Sequence, residues 1–164
     1  MELICIAPMT SDDLADVMAI EEASFTVPWT EGDFRDLLDH PGTGFYTAKT
    51  AEGILCGYIG YIGIMETGDI LNVAVHSDYR QLGIGRRLML TAEQAAADQG
   101  VEAMLLEVRE SNRAARQLYI SLGYEEISLR RNYYRKPVEH AIIMRKLLGV
   151  QNDERRHGDG KDIT

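Results

Sequence analysis

Ile70-Leu71-Asn72-Val73-Ala74-Val75 runs through His76-Ser77-Asp78-Tyr79 into Arg80-Gln81-Leu82-Gly83-Ile84-Gly85, and this junction decides the fold. The first stretch is apolar and reads as a buried strand. The second is a glycine-punctuated turn carrying a basic residue. An apolar stripe at Ile84, Leu88, Ala92 and Ala95 then opens a helix that stops at Gly100. Glycine lets a backbone come close to a ligand, and the first N–H groups of a helix have no partner within it. A strand, a glycine turn and a helix start in this order predict a phosphate or pyrophosphate site, and hence a phosphorylated cofactor. The turn carries neither the Gly-Lys-Ser/Thr of a P-loop nor a Gly-x-Gly-x-x-Gly after an early strand.

Working outward, residues 3–7 read as a first strand. Thr10 and Asp13 form a capping box that opens a helix through Ser24, with Leu14, Val17, Met18 and Ile20 near helical spacing. Pro28 breaks the chain, Thr30 caps a second helix, and His40-Pro41-Gly42 ends it. Strands are expected over 45–49, 54–64 and 70–75, with Glu66-Thr67-Gly68-Asp69 as the last turn of an antiparallel meander. Gly57, Gly60 and Gly63 point to a twist, a bulge or close backbone approach. Residues 103–108 read as a strand buried on both faces, and Ser111 or Asn112 caps a helix ending at Gly123. Strands over 124–129 and 141–147 close the domain around a basic, aromatic loop, 130–137. The order β-α-α-β-β-β-α-β-α-β-β predicts an α/β domain over 1–148, a mixed and mostly antiparallel sheet with helices on both faces. Residues 149–164 read as a disordered tail.

The chain has 164 residues, 45% hydrophobic and 26% charged, which fits one soluble domain with a sizeable core. No apolar run approaches a membrane span, and the start shows no basic leader, so a cytoplasmic protein is expected. Cys5 and Cys56 show no metal spacing and read as reduced and buried. His40, His76, His140 and His157 show none either, so no metal is expected. A net charge of −9 argues against general nucleic-acid binding. It suits a cationic substrate, and equally serves solubility alone.

The Arg-x-x-Gly-x-Gly turn resembles the pyrophosphate-binding motif of the GCN5-related N-acetyltransferases, and the predicted element order resembles that fold over roughly 1–148. Further stretches resemble the RimI family within it: Leu106-Glu107-Val108-Arg109-Glu110-Ser111-Asn112, Leu118-Tyr119-Ile120-Ser121-Leu122-Gly123-Tyr124, Arg131-Asn132-Tyr133-Tyr134, Val27-Pro28-Trp29-Thr30 and Ala141-Ile142-Ile143-Met144. The resemblance implies acetyl-CoA as co-substrate and acetylation of a protein N-terminus, typically an N-terminal alanine of a small-subunit ribosomal protein. No direct nucleic-acid or membrane partner is expected, and the chain is expected to be a monomer or weak dimer. His76-Ser77 departs from it, standing where Asp-Pro is common.

The resemblance also implies roles. Backbone groups of Val73, Ala74 and Val75 contact the pantetheine arm and acetyl group. Arg80, Gln81, Leu82, Gly83, Ile84 and Gly85 cradle the pyrophosphate, with Arg86 and Arg87 adding charge nearby or serving as plain surface. Glu107 stands in an apolar run, so it has either a partner or a function. Burial would raise its pKa and make it a usable base. The attacking amine, with a pKa near ~8, needs one. The resemblance gives Glu107 that role, and the plain alternative is a strand-end carboxylate held by Arg109 or solvent. Tyr119 lies on the core face of its helix, where packing would explain it, while the resemblance makes it the general acid for the departing thiolate. Asn112 reads as an N-cap and, by resemblance, also contacts coenzyme A. Trp29, Tyr133 and Tyr134 line the peptide groove by resemblance, or simply anchor loops. Glu66 and Asp69 could draw in a cationic peptide, or do nothing specific. Cys56 lacks a paired His and is no acyl carrier. The rival activities are acetylation of lysine side chains or small amines, and non-catalytic acyl-CoA sensing.

Overall fold

The computed structural model describes residues 3–149, so the expected tail lies outside the described residues except for Gly149. Strand β1 (Ile4–Pro8) leads through a short 3-10 turn into α1 (Leu14–Ser24) and α2 (Glu31–Leu38). Three strands follow: β2 (Thr43–Thr50), β3 (Leu55–Ile64) and β4 (Thr67–Val75). Then come α3 (Ile84–Asp98), β5 (Ala103–Arg109), α4 (Arg113–Ser121), β6 (Glu125–Tyr134) and β7 (Glu139–Leu147).

Local chemistry fixes the boundaries. The Thr10–Asp13 box forms, with the Thr10 N–H donating to Asp13 Oδ2 at 2.8 Å. The Thr30–Asp33 box forms likewise, at 2.8 and 3.1 Å. Each such cap is worth about 1 kcal/mol. Gly100 and Gly123 adopt positive φ directly after the closing caps of α3 and α4, whereas Gly42 does so in the turn into β2, four residues beyond α2.

One seven-stranded sheet carries the elements in the order β1-β2-β3-β4-β5-β7-β6. Five neighbour pairs are antiparallel and only β4–β5 is parallel. Central strand β3 sends Tyr58 to one face and Ile59 to the other. On the first face Tyr58 and Phe45 pack with Leu14 and Val17 of α1 and Phe34 of α2. On the second, Ile59, Tyr61 and Leu106 pack with Leu88, Met89 and Ala92 of α3. Full burial of a side chain such as Leu88 contributes about 1.5–3 kcal/mol. The mixed sheet with helices on both faces is as predicted.

The β3 glycines have two distinct jobs. A side chain at Gly60 would meet the Phe45 ring at 2.3 Å, so Gly60 makes room for a packed aromatic. A side chain at Gly57 would meet the Ala74 carbonyl oxygen at 2.9 Å, a backbone approach. A bulge also lies at Gly60/Tyr61, so Leu71 of β4 has no opposite residue.

Several boundaries differ from expectation. The β3–β4 turn shrinks to Met65-Glu66, with Met65 at φ 58, so Thr67, Gly68 and Asp69 begin β4 instead of forming the turn. The expected loop 130–137 is strand through Tyr134, because β7 supplies a ladder that continues to Tyr134↔Glu139 across a bulge. Strand β5 is buried on one face only, through Met104, Leu106 and Val108. Cys56 is buried but Cys5 is exposed, on an edge strand. Among the described residues no helix is long and apolar enough to cross a membrane.

The feature that positions the site is a splay. Strands β4 and β5 pair for three residues only, ending at Asp69↔Leu105. Beyond that point β4 stays with β3 as far as Val75, and β5 stays with β7 as far as Arg109. The two strands therefore part, and a wedge opens between them.

Candidate active site

The wedge has a backbone wall on one side. Val73, Ala74 and Val75 pair with Ile59, Tyr58 and Gly57, which leaves the β5-facing edge of β4 unladdered. Unpaired strand groups of this kind are strong donors and acceptors for a ligand. Immediately beyond, Gln81 and Gly83 adopt φ 63 and 77 and fold the turn onto the start of α3.

The N-terminus of α3 differs from those of α2 and α4. Thr30 and Asn112 cap the latter two with side-chain oxygens, whereas Gly83 offers α3 none. The first turn of α3 carries no acid, and space around Gly83 is open to 4 Å. An uncapped helix start facing open space fits an anionic group such as a pyrophosphate. Arg80 is exposed there and its Nε donates to the Val75 carbonyl at 3.3 Å. Leu82 is exposed, Gly85 lies beside Leu118, and the Ile84 side chain is buried in the core, leaving only its backbone for a ligand. Arg86 holds Ser121 and Arg87 holds the Ile4 carbonyl of β1, so both have structural partners. His76 caps the short 3-10 turn Ser77–Tyr79, its Nδ1 accepting from the Asp78 N–H at 3.1 Å. A cleft between this turn and α1 is lined by Ala19, Ala23, Ser24, His76, Ser77 and Arg80.

Glu107 lies on the open face of β5, not in the buried setting expected. Period-two alternation sends Leu106 and Val108 inward and Glu107 outward. Its partner is Arg130 of β6, with Nη1–Oε1 at 3.2 Å, and not Arg109. Tyr133 also engages it: the hydrogen bond to Glu107 is the largest cause holding the Tyr133 phenol above its ordinary pKa. Asp69, at the apex of the splay, is raised first by desolvation and then by the charge of Glu107, with Arg130 pulling the other way. Glu107, Asp69, Arg130 and Tyr133 thus form one polar cluster at the wedge.

Tyr119 points from α4 into the core and is 8% exposed. Its ring meets Tyr124 edge-on at 6.0 Å, and burial pushes its phenol up to about 12. It therefore keeps its proton at neutral pH. Tyr134 is pushed up to about 12 as well, first by burial and then by Glu107, with Tyr119 also raising it. Glu107 and Tyr119 thus both act electrostatically on Tyr134. Asn112 caps α4, its Oδ1 accepting from the Ala115 N–H at 3.2 Å.

Sequence reasoning missed three residues. Arg109 covers the Tyr134 ring at 4.4 Å and donates to the Arg135 and Pro137 carbonyls, each at 3.1 Å. Glu139 accepts from Arg109 and from the Ser111 N–H, tying β7 to the start of α4. Glu21 is 1% exposed and takes hydrogen bonds from the Trp29 N–H, Asn72 and Tyr58. The signal for Glu21 was present: it completes the buried stripe of Leu14 and Val17 on α1, where an apolar residue belongs. Trp29 is half-buried with its ring 5.2 Å from Phe34, and Tyr133 is 46% exposed.

The sequence model of the acetyltransferase (GNAT) family matches residues 14–124. A Bacillus subtilis (strain 168) protein provisionally named a ribosomal protein bS18-alanine N-acetyltransferase is 35% identical over 137 residues, 83% of this chain and 90% of that one. The Salmonella typhimurium ribosomal protein bS18-alanine N-acetyltransferase is 33% identical over 142 residues, 85% of this chain and 94% of that one. The crystal structure of the Escherichia coli ribosomal-protein-S18-alanine N-acetyltransferase superposes with a TM-score of 0.82 at 30% identity, covering 89% of this chain and 94% of that one.

Proposed function

This chain belongs to the acetyltransferase (GNAT) family, and on that premise we propose that it transfers the acetyl group of acetyl-CoA to the N-terminal α-amine of a protein, the N-terminal alanine of ribosomal protein bS18. The observation that carries the reading is the splay of β4 from β5 after Asp69↔Leu105, with Glu107 at its mouth and an uncapped α3 start behind it. The names of the similar bacterial proteins supply the target.

Acetyl-CoA supplies an activated acyl group when bound. The unpaired edge at Val73, Ala74 and Val75 supports its arm, and the turn from Arg80 to Gly85 with the first α3 N–H groups supports its pyrophosphate. By family resemblance Asn112, the cap of α4, also contacts the co-substrate. A backbone N–H near Val73 stabilises charge that develops on the carbonyl oxygen. Trp29, Tyr133 and Tyr134 receive the peptide. Glu107 accepts a proton from the entering ammonium, directly or through one water. The neutral amine then forms the new C–N bond as the C–S bond breaks, Tyr119 delivers its proton to the leaving sulfur, and the second proton shed by the acylated nitrogen passes to solvent, from which Tyr119 is reprotonated. Placement of Glu107 on an open, Arg130-paired face leaves it accessible to a cationic N-terminus in a protein of net charge −9.

The test is coenzyme A release with two matched peptides. One carries a free N-terminal alanine before a basic sequence, and the other is N-terminally blocked with its lysines intact. Turnover on the free peptide alone supports the reading. Equal turnover moves the activity to lysine.

A further inference from the structure

Resting on the acetyl-transfer reading above, we propose that Glu21 is a positioning residue that clamps the peptide-side loop carrying Trp29 to strand β4 at the mouth of the wedge. A buried carboxylate is expensive, and an apolar side chain would fill the same position on α1 at lower cost. What a carboxylate adds is two acceptor oxygens. Its Oε1 accepts from the Trp29 N–H at 3.0 Å and from Asn72 Nδ2 at 2.9 Å, and its Oε2 accepts from the Tyr58 hydroxyl. Those three donors come from three places: the α1–α2 connection, β4 and β3.

The positions of the donors give the clamp its meaning. Asn72 follows the bulged Leu71 and directly precedes Val73, on the stretch of β4 that has already left β5. The Trp29 ring packs at a tilt against Phe34 of α2, and Trp29 directly precedes the α2 cap Thr30. One carboxylate therefore fixes the spacing between a wall of the peptide groove and the strand that faces the acetyl group. A reacting amine must be held to within fractions of an ångström of attack geometry, so this spacing bears on catalysis without contact with either substrate.

Steady-state kinetics on the full chain test this, using Glu21→Leu, Glu21→Gln and Asn72→Ala with acetyl-CoA and the free alanine peptide, well below each melting temperature. Glu21→Leu is expected to raise the peptide KM about tenfold, the loss of about 1.4 kcal/mol, and to leave the acetyl-CoA KM within about twofold. Glu21→Gln keeps an acceptor for the Trp29 N–H and restores the peptide KM. Trp29 is the only tryptophan, so its fluorescence reads the loop directly, with a red shift and greater quencher access expected in Glu21→Leu but not in Glu21→Gln. If Glu21→Leu does not fold, Asn72→Ala must show the same KM split. Wild-type peptide KM and unchanged Trp29 emission in a folded Glu21→Leu, with only a lower melting point, overturn the proposal. If the wild-type chain does not acetylate the free peptide, the acetyl-transfer reading falls, while Trp29 emission still decides whether Glu21 holds the loop.

Discussion

Tyr119→Phe separates burial from catalysis in one residue. Burial holds the Tyr119 phenol near 12, against 10 for the free group. The folded-state pKa is raised, so the associated stability is complete below pH 10 and is lost as pH climbs toward 12. Over that window the unfolded chain releases the proton while the folded protein keeps it. The gap is worth about 3 kcal/mol. For a chain of this size that is about 6–12 °C of melting temperature. Tyr119→Phe cannot titrate, so its denaturation free energy falls less than that of the wild type, by about this amount, across the window. Tyr134→Phe is the control, because Tyr134 is also pushed up to about 12. At neutral pH Tyr119→Phe loses the proton donor, and kcat falls about 10²–10⁴-fold with the acetyl-CoA KM nearly unchanged. Urea titrations over the alkaline range and steady-state rates read the two effects. Parallel alkaline curves for wild type and variant would refute the burial argument, and full turnover would refute the acid role.

Other outcomes follow from the same structure. Gly60→Ala drives a methyl into the Phe45 ring and should destabilise by about 1–3 kcal/mol in chemical denaturation. Gly83→Asp puts a carboxylate at the uncapped start of α3, with some backbone strain at φ 77; the acetyl-CoA KM should rise about tenfold, and an unchanged value would remove the pyrophosphate from this turn. Burial alone would raise Asp13, but its hydrogen bonds to Lys49 and Thr10 outweigh burial and hold it below its usual pKa. That stability is present above about pH 4 and is lost as pH falls through the lowered value. Lys49→Met should therefore weaken the acid dependence of unfolding, read by melting temperature between about pH 2 and pH 5.

Much of this molecule was legible in local pattern. Caps at Thr10, Thr30 and Asn112 and stops at Gly100 and Gly123 are written in residue type, since only certain side chains satisfy helix ends or take positive φ. The junction at Arg80–Gly85 was legible for the same reason. Non-local pairing was not. Nothing in residues 130–134 announces a strand, because their ladder depends on β7 arriving alongside. Glu107 sits among apolar neighbours in sequence, yet β5 buries one face only, and alternation turns Glu107 to the other. Glu21 was passed over for the opposite reason: a charged residue in a helix reads as surface until Trp29, Asn72 and Tyr58, distant in sequence, converge on it.

The central claim is that the acetyl group goes to an N-terminal α-amine. It is tested most directly by incubating full-length bS18 bearing a free N-terminal alanine with this protein and isotopically labelled acetyl-CoA, then locating the label by tandem mass spectrometry. Label is expected on the alanine α-nitrogen alone, and is abolished in Glu107→Gln protein that still binds acetyl-CoA. Label spread over lysine side chains, with the N-terminus left free, would contradict it.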